Sequence, residues 1–529
     1  MSNDISRIKY SEGILREENP RVLMQSINKR FGEVQALDNA SLSLEKGEVH
    51  ALLGENGAGK TTLMNILSGL YVADSGEVAI DGRKVDIHRP KDAADHGIGM
   101  VHQHFELISN FTALENIILA AEGGRLVIDM DSKHKELEEL MPRFGLHVDL
   151  DANVRDLSVG VQQKVEIIKA LYRGVSILIL DEPTTMLTPQ EADSLFSVIS
   201  SFTKQGLTVI LITHKIKEVL KVSNRITVMR HGKCVRTVRT SEASEKLLVE
   251  IMMGEKSSYK GFSISEKPKT NKIKSETMLL VEGLTIGEPK QPSLVENVSL
   301  KVQNGEIVGL VGVCGNGQME VAEAIYGVRK PNMGKIAICS KEITGGSVIE
   351  SLRAGAFLIP EDRIHQGILP NLSLSETLIL GPHNFLFKHS LMLNFKRIYE
   401  LGRQAIEDYQ IKAPNERADT CLLSGGNIQK LIIARAFLFS SITDLNLLIA
   451  FNPTNGLDVM SAQFVHDRLL EIGSSGAGVL LISEDLDESM LLCNRIYVFF
   501  KGRVVGELAH ADFDPYVMGA MMTGGEPND

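Results

Sequence analysis

The chain has 529 residues, 23% charged and 43% hydrophobic, a balance that excludes a disordered polypeptide and allows several domains with cores of their own. Its 56 basic residues face 67 acidic ones, and the net charge of −11 argues against a large nucleic-acid-binding face, leaving room only for a local basic patch. Five scattered cysteines (Cys234, Cys314, Cys339, Cys421 and Cys493), with no C-x-x-C pair, argue against a metal–cysteine site or a disulfide framework and suit a reducing cytoplasm.

The first thirty residues are polar and charged, which predicts no signal peptide. No apolar run approaches the roughly 18–20 residues that span a bilayer, so a membrane role is expected to come through partner proteins. The first chemistry-bearing motif is Gly54-Glu55-Asn56-Gly57-Ala58-Gly59-Lys60-Thr61, a full G-x-x-x-x-G-K-[ST] match between an apolar strand at 49–53 and a helix predicted at 62–68. Its glycines let backbone N–H groups turn in around phosphate oxygens, and the helix N-terminus adds a positive dipole end. Lys60 offers a point charge to the β- and γ-phosphates, and Thr61 offers a hydroxyl to Mg²⁺.

Next comes Val101-His102-Gln103-His104, where two histidines without a third ligand leave a metal site and a structural role both open. A strand at 177–180 ends in Asp181 and Glu182. There the first carboxylate can hold Mg²⁺ through water and the second can accept a proton from an attacking water. A helix near 190–204, a strand at 208–212 and then His214 follow. This alternation of strands and helices predicts an α/β domain on a mainly parallel sheet, with ligands beyond the carboxyl ends of the strands.

The pattern then repeats. EKGEVHALL at 45–53 recurs as QNGEIVGLV at 303–311, ILILDEPT at 177–184 as LLIAFNPT at 447–454, and VILIT at 209–213 as VLLIS at 479–483. The expected organisation is a tandem duplication: one domain at 20–254, an exposed linker at 255–277 rich in Lys, Ser and Glu, and a second domain at 278–524.

In this order the phosphate loop, Gln103, LSVGVQQ at 157–163, ILILDEP at 177–183 and His214 resemble an ATP-binding-cassette domain, twice over and across almost the whole chain. The resemblance implies two P-loop cassettes, each a mainly parallel sheet with flanking helices and a helical subdomain. It implies ATP and Mg²⁺ as cofactors, with the loop residues Gly54 to Thr61 and the next residue, Thr62, on the phosphates. Thr61, Gln103 and Asp181 would hold the metal, and Glu182, His214 and Gln103 would form the catalytic set. Phe31 would stack on adenine; a core phenylalanine is the other reading.

The second domain departs from this pattern. It keeps Gly312, Gly315 and Gly317, but Gln318 stands for Lys60 and Met319 for Thr61. Glu361 follows Gly312 by the same 49 residues that separate Gln103 from Gly54. Phe451 replaces Asp181, Asn452 replaces Glu182 and Glu484 replaces His214, so this half is not expected to hydrolyse ATP. Yet it retains an intact signature, Leu423-Ser424-Gly425-Gly426-Asn427, and Gly456-Leu457-Asp458, whereas the first domain has Val159 where the second has Gly425. By resemblance, a signature acts on the ATP held by the opposite domain. The retained parts, Ser424, Gly425, Gly426 and Asp458, would then complete one hydrolytic site with the first domain's loop.

Tandem cassettes with an altered second loop resemble the ATPase subunits of bacterial sugar and nucleoside importers. Several stretches, among them 100–120, 447–459 and 480–488, resemble the nucleoside branch, whose receptors are of basic-membrane-protein type and which also includes riboflavin importers. That implies two permease subunits, an extracytoplasmic receptor, a peripheral place on the cytoplasmic face of the inner membrane, and contact with neither nucleic acid nor the solute. The segment 105–116 is either the permease dock or an ordinary surface loop. A ribose- or galactose-type importer and a non-transport twin-cassette ATPase are the alternative functions.

Overall fold

The computed structural model describes residues 20–32, 34–103, 105–121, 128–253, 274–287, 294–313, 315–387 and 392–525. The chain divides into two compact units, Met1–Phe262 and Ser263–Asp529.

The first unit contains β1 (Val22–Phe31), β2 (Val34–Leu44), β3 (Val49–Gly54), β4 (Ser75–Ile80), β5 (Arg83–Val85), β6 (Ile98–Val101), β7 (Ile177–Asp181), β8 (Thr208–Thr213), β9 (Arg225–Arg230) and β10 (Lys233–Arg239). A four-stranded antiparallel sheet has the order β2-β1-β4-β5, and a six-stranded sheet has the order β10-β9-β3-β8-β7-β6. In the larger sheet every neighbouring pair is parallel except β9 and β10. β3, β7 and β8 are buried along their whole length, as expected of central parallel strands covered on both faces. Alternate residues of β7 feed different cores. Ile177 and Ile179 pack with Leu63, Met64 and Leu67 of the helix Lys60–Leu67, while Leu178 and Leu180 pack under the helices Ala113–Ala121, Val159–Tyr172 and Pro189–Lys204.

The second unit contains β11 (Lys274–Ile286), β12 (Val295–Asn304), β13 (Ile307–Val311), β14 (Met333–Ile338), β15 (Lys341–Glu342), β16 (Ala356–Ile359), β17 (Leu447–Phe451), β18 (Gly478–Ser483), β19 (Arg495–Phe500) and β20 (Arg503–Ala509). Its sheets run β12-β11-β14-β15 and β16-β17-β18-β13-β19-β20, strand for strand the neighbours found in the first unit. The duplication seen in the sequence is therefore a duplication of topology.

The expected linker is shorter than 255–277. Residues 274–277 already form the start of β11, where Lys274 pairs with Asn304 and Thr277 with Gln303. Backbone pairing to β12 carries this polar stretch into the sheet. The rest of the linker, 255–273, lies outside the described residues, as do His104 and Cys314. Among the described residues, no helix is long and apolar enough to cross a membrane.

Candidate functional site

In the first unit the register of the parallel sheet gathers residues distant in sequence. Leu53 pairs with Thr213, Asp181 with Ile212 and Val101 with Leu180. The glycine loop, Asp181, Glu182, Gln103 and His214 thus all leave the carboxyl ends of adjacent strands. Gly59 caps the helix Lys60–Leu67 in the left-handed region at φ 98°. A Cβ there would lie 2.8 Å from the Ala36 carbonyl oxygen and 2.9 Å from Leu37 Cδ2, so only glycine fits. The helix starts at Lys60, two residues earlier than the sequence suggested, because this left-handed cap ends the loop.

Lys60 is buried, and its Nζ donates to the carbonyl oxygens of Gly54 (2.7 Å) and Glu55 (3.0 Å), which holds the ammonium over the loop. Burial draws its pKa below the ordinary value, against the opposing attraction of Glu182 and Asp181. The Thr61 hydroxyl donates to Asp181 Oδ2 at 3.1 Å. A hydroxyl beside a carboxylate at the end of a strand is a hard-oxygen donor set, which fits Mg²⁺. Burial, with the nearby charge of Glu182, pushes the Asp181 carboxyl above its usual range, although the Thr61 bond opposes this.

A stability test follows. The raised pKa means that the ionised form of Asp181 costs folding free energy above its ordinary titration range, and that this cost vanishes below it. Asp181→Asn keeps an acceptor for Thr61 and removes the charge. It should raise the melting temperature of the nucleotide-free protein at pH 7, with the gain lost in acid, while weakening MgATP binding. Equal melting temperatures at pH 7 would contradict it.

Glu182 sits in the left-handed region at φ 46°, an uncommon conformation for this residue type, and its N–H donates to the Ile212 carbonyl at 2.9 Å. Its Oε1 lies 3.0 Å from His214 Nδ1, and its Oε2 accepts from Gln103 Nε2 at 3.4 Å and from the Thr185 hydroxyl at 3.4 Å. Burial pushes its pKa up, but the His214 bond and the charges of His214, Lys60 and Lys215 together bring it below the usual value. An ionised, oriented carboxylate can act as a general base. Thr185 and Lys215 were not singled out by sequence reasoning, and only their place beside Glu182 reveals them. His102 and Gln103 line one cavity with Gln163, Asp181 and Glu182. Among the described residues, no group of three or more His, Cys, Asp or Glu side chains could hold a metal by itself.

Phe31 is 42% exposed, so it is not a core residue. Its ring meets Tyr71 edge-on at 5.2 Å and has Lys29 Nζ 5.5 Å away. Tyr71, just beyond the helix Lys60–Leu67, is a second accessible aromatic that the sequence did not single out. The segment 105–116 is firmly tied down: the Glu106 N–H donates to Glu166 (2.9 Å) and the Val154 N–H to the Phe111 carbonyl (3.0 Å), while Ile108 and Phe111 stay exposed.

Both signature serines are exposed, and the signatures differ at the next residue, where Val159 is half-buried and Gly425 is exposed. In the first unit Ser158 caps the helix Val159–Tyr172, and a Cβ on Gly160 would collide with Glu191 Oε1. In the second, Ser424 and Gly425 are exposed at the start of the helix Gly425–Ile442, and the Ser424 hydroxyl accepts from Asn427 Nδ2 at 2.8 Å. A Cβ on Gly426 would come within 2.8 Å of the Ser461 hydroxyl. Asp458 caps the helix Val459–Ser474 and accepts from the Ser461 N–H and hydroxyl, both at 2.8 Å.

In the second unit two amides and an apolar ring stand at the positions of Lys60, Glu182 and Asp181. Gln318 is buried like Lys60, and its Nε2 donates to the Val313 carbonyl at 3.2 Å. Phe451, at the position of Asp181, belongs to the hydrophobic core. Asn452 Nδ2 donates to Glu361 Oε1 at 2.8 Å.

The profile of the ABC transporter family matches residues 37–185 and again 295–455. The chain is 40% identical to the nucleoside import ATP-binding protein NupA of Lactococcus lactis subsp. cremoris, over 96% of this chain and 99% of that protein. It is 40% identical to the guanosine import ATP-binding protein NupO of Bacillus subtilis, over 95% and 97%. It is 37% identical to the glucose import ATP-binding protein TsgD13 of Haloferax volcanii, over 96% of each. The chain belongs to the ABC transporter family and is an ATP-binding, ATP-hydrolysing member of it that carries the family's cassette twice.

Proposed function

We propose that this chain is the ATPase subunit of a nucleoside importer and that it hydrolyses ATP at the first unit only. The observation that carries this reading is the contrast between the units. Thr61–Asp181 and Gln103–Glu182–His214 are assembled in the first, while Met319, Phe451, Glu361, Asn452 and Glu484 stand at the matching positions of the second. Gly54 to Thr61, with Thr62, hold the phosphates, and Phe31 packs on the base. Glu182 takes the proton of the attacking water, and His214 and Gln103 orient the reacting groups. Thr61, Asp181 and Gln103 would hold Mg²⁺, which when bound offsets phosphate charge. Ser424, Gly425, Gly426 and Asp458 would act on nucleotide as the family resemblance implies, and their retention in the second unit supports this.

Similarity to NupA and NupO supports a nucleoside as the solute, and similarity to TsgD13 keeps a sugar as the second reading, with riboflavin a further one. The chain would work with two permease subunits and an extracytoplasmic receptor, lying peripherally on the cytoplasmic face of the inner membrane and touching neither solute nor nucleic acid. Exposed Ile108 and Phe111 favour 105–116 as the permease dock. ATP binding and hydrolysis then shift the transporter between two states, and the permeases follow. The test is ATPase activity of the reassembled transporter with its receptor offered guanosine, riboflavin or ribose in turn. Guanosine should stimulate turnover. Stimulation by ribose or riboflavin instead would reassign the solute, and turnover indifferent to all three would argue for other solutes or a non-transport ATPase.

A further inference from the structure

Gln103 and Glu361 stand two residues beyond the ends of equivalent strands, β6 and β16. Glu182 and Asn452 directly follow the equivalent strands β7 and β17. In the first unit an amide at the former position donates to a carboxylate at the latter, at 3.4 Å. In the second unit the amide is on Asn452, the carboxylate is on Glu361, and the bond is 2.8 Å. Donor and acceptor have changed places. A glutamate at the first position alone would set two acids against each other; here both positions differ, and one hydrogen bond persists.

Asn452 is anchored on its other sides as well. Its Oδ1 accepts from the Glu484 N–H at 3.1 Å, and its N–H donates to the Ile482 carbonyl at 2.7 Å. It keeps the left-handed backbone of Glu182 at φ 40°, a conformation asparagine adopts more readily than glutamate. One side chain thus links the carboxyl ends of β16, β17 and β18.

The stretch after Glu361 is tethered downstream too. Asp362 Oδ1 accepts from the N–H groups of Ile364 (3.0 Å) and His365 (2.9 Å), and Arg435 donates to the Gly367 carbonyl. Ile364 and Leu369 remain exposed on it.

We propose that Glu361 and Asn452 form a clasp that holds residues 362–372 in one position whether or not nucleotide is bound to the chain. In the first unit the equivalent bond is made by groups that engage the nucleotide, so binding must compete with it. In the second unit neither partner has that duty, and the bond is free to be permanent. Glu361 and Asn452 are positioning residues in a cassette that acts as a fixed support. This rests on the reading that the first unit alone takes up MgATP.

Backbone hydrogen exchange of the full chain, with and without MgATP, tests it. In the wild type, exchange across 362–372 should be the same in both conditions. Glu361→Ala should speed exchange there about 10-fold or more, with ATP hydrolysis by the chain unchanged. The reversed pair Glu361→Gln with Asn452→Glu, which copies the first unit's polarity, should bring exchange back toward wild type, a rescue that loss of general stability would not show. A change across 362–372 on adding MgATP to the wild type, needing no variant, overturns the clasp. So does unaltered exchange in Glu361→Ala, or failure of the reversed pair to restore it. The number of MgATP sites, measured separately, reports on the first-unit reading.

Discussion

Glu182→Gln should reduce ATP turnover by about 10²–10⁴-fold while leaving ATP bound, because it keeps the size of the side chain and removes the proton acceptor. Three features of the structure aim the effect at this residue. Its carboxylate lies 3.0 Å from His214 Nδ1, the Gln103 amide donates to its other oxygen, and its pKa stays below the usual range in spite of burial because His214 and nearby cations favour the charged form. The acidic limb of the turnover profile assigned to Glu182 should therefore fall below the ordinary carboxylate range. Asn452→Ala is the matching control, since the asparagine donates to Glu361 and offers no base. Single-turnover and steady-state measurements on both variants decide the matter; comparable losses in the two would mean that the units share the chemistry.

Lys60→Ala should abolish a single high-affinity MgATP site rather than one of two. Lys60 is the buried cation of the only loop, among the described residues, that carries one at this place; in the second unit Gln318 occupies it and donates an uncharged amide to the Val313 carbonyl. A charge-assisted contact contributes about 1.5–3 kcal/mol, so affinity should drop about 10- to 150-fold, which takes the site out of the high-affinity range of the titration. Titration of the isolated chain with nucleotide reads both quantities. One site per chain, removed by the substitution, is expected; two equally tight sites that survive it would show that the second unit binds without its lysine.

Much of this site was legible in the residues because its parts are local. The phosphate loop is eight consecutive residues between a strand and a helix, and Asp181 and Glu182 end an apolar run, so spacing alone marks them. Phe31 was not legible in this sense: an isolated aromatic in a strand reads equally as core, and its exposure beside Tyr71 appears only once β1 and the turn after Lys60–Leu67 are in place. The start of β11 was misread as linker because its polar composition carries no strand signal, while pairing with β12 depends on a partner some thirty residues away.

By itself, then, the sequence determined the duplication, the two α/β units, the phosphate loop and the carboxylate pair, and the loss of their counterparts in the second half. Only the tertiary structure decided which of these side chains meet. The contact of Thr61 with Asp181, the convergence of Gln103 and His214 on Glu182, and the exchanged bond between Glu361 and Asn452 join residues 32 to 120 positions apart. The physical reason is register. Hydrogen-bonded pairing of parallel strands sets which carboxyl ends lie side by side, and a contact of about 3 Å across them is a property of that pairing, which no local spacing encodes.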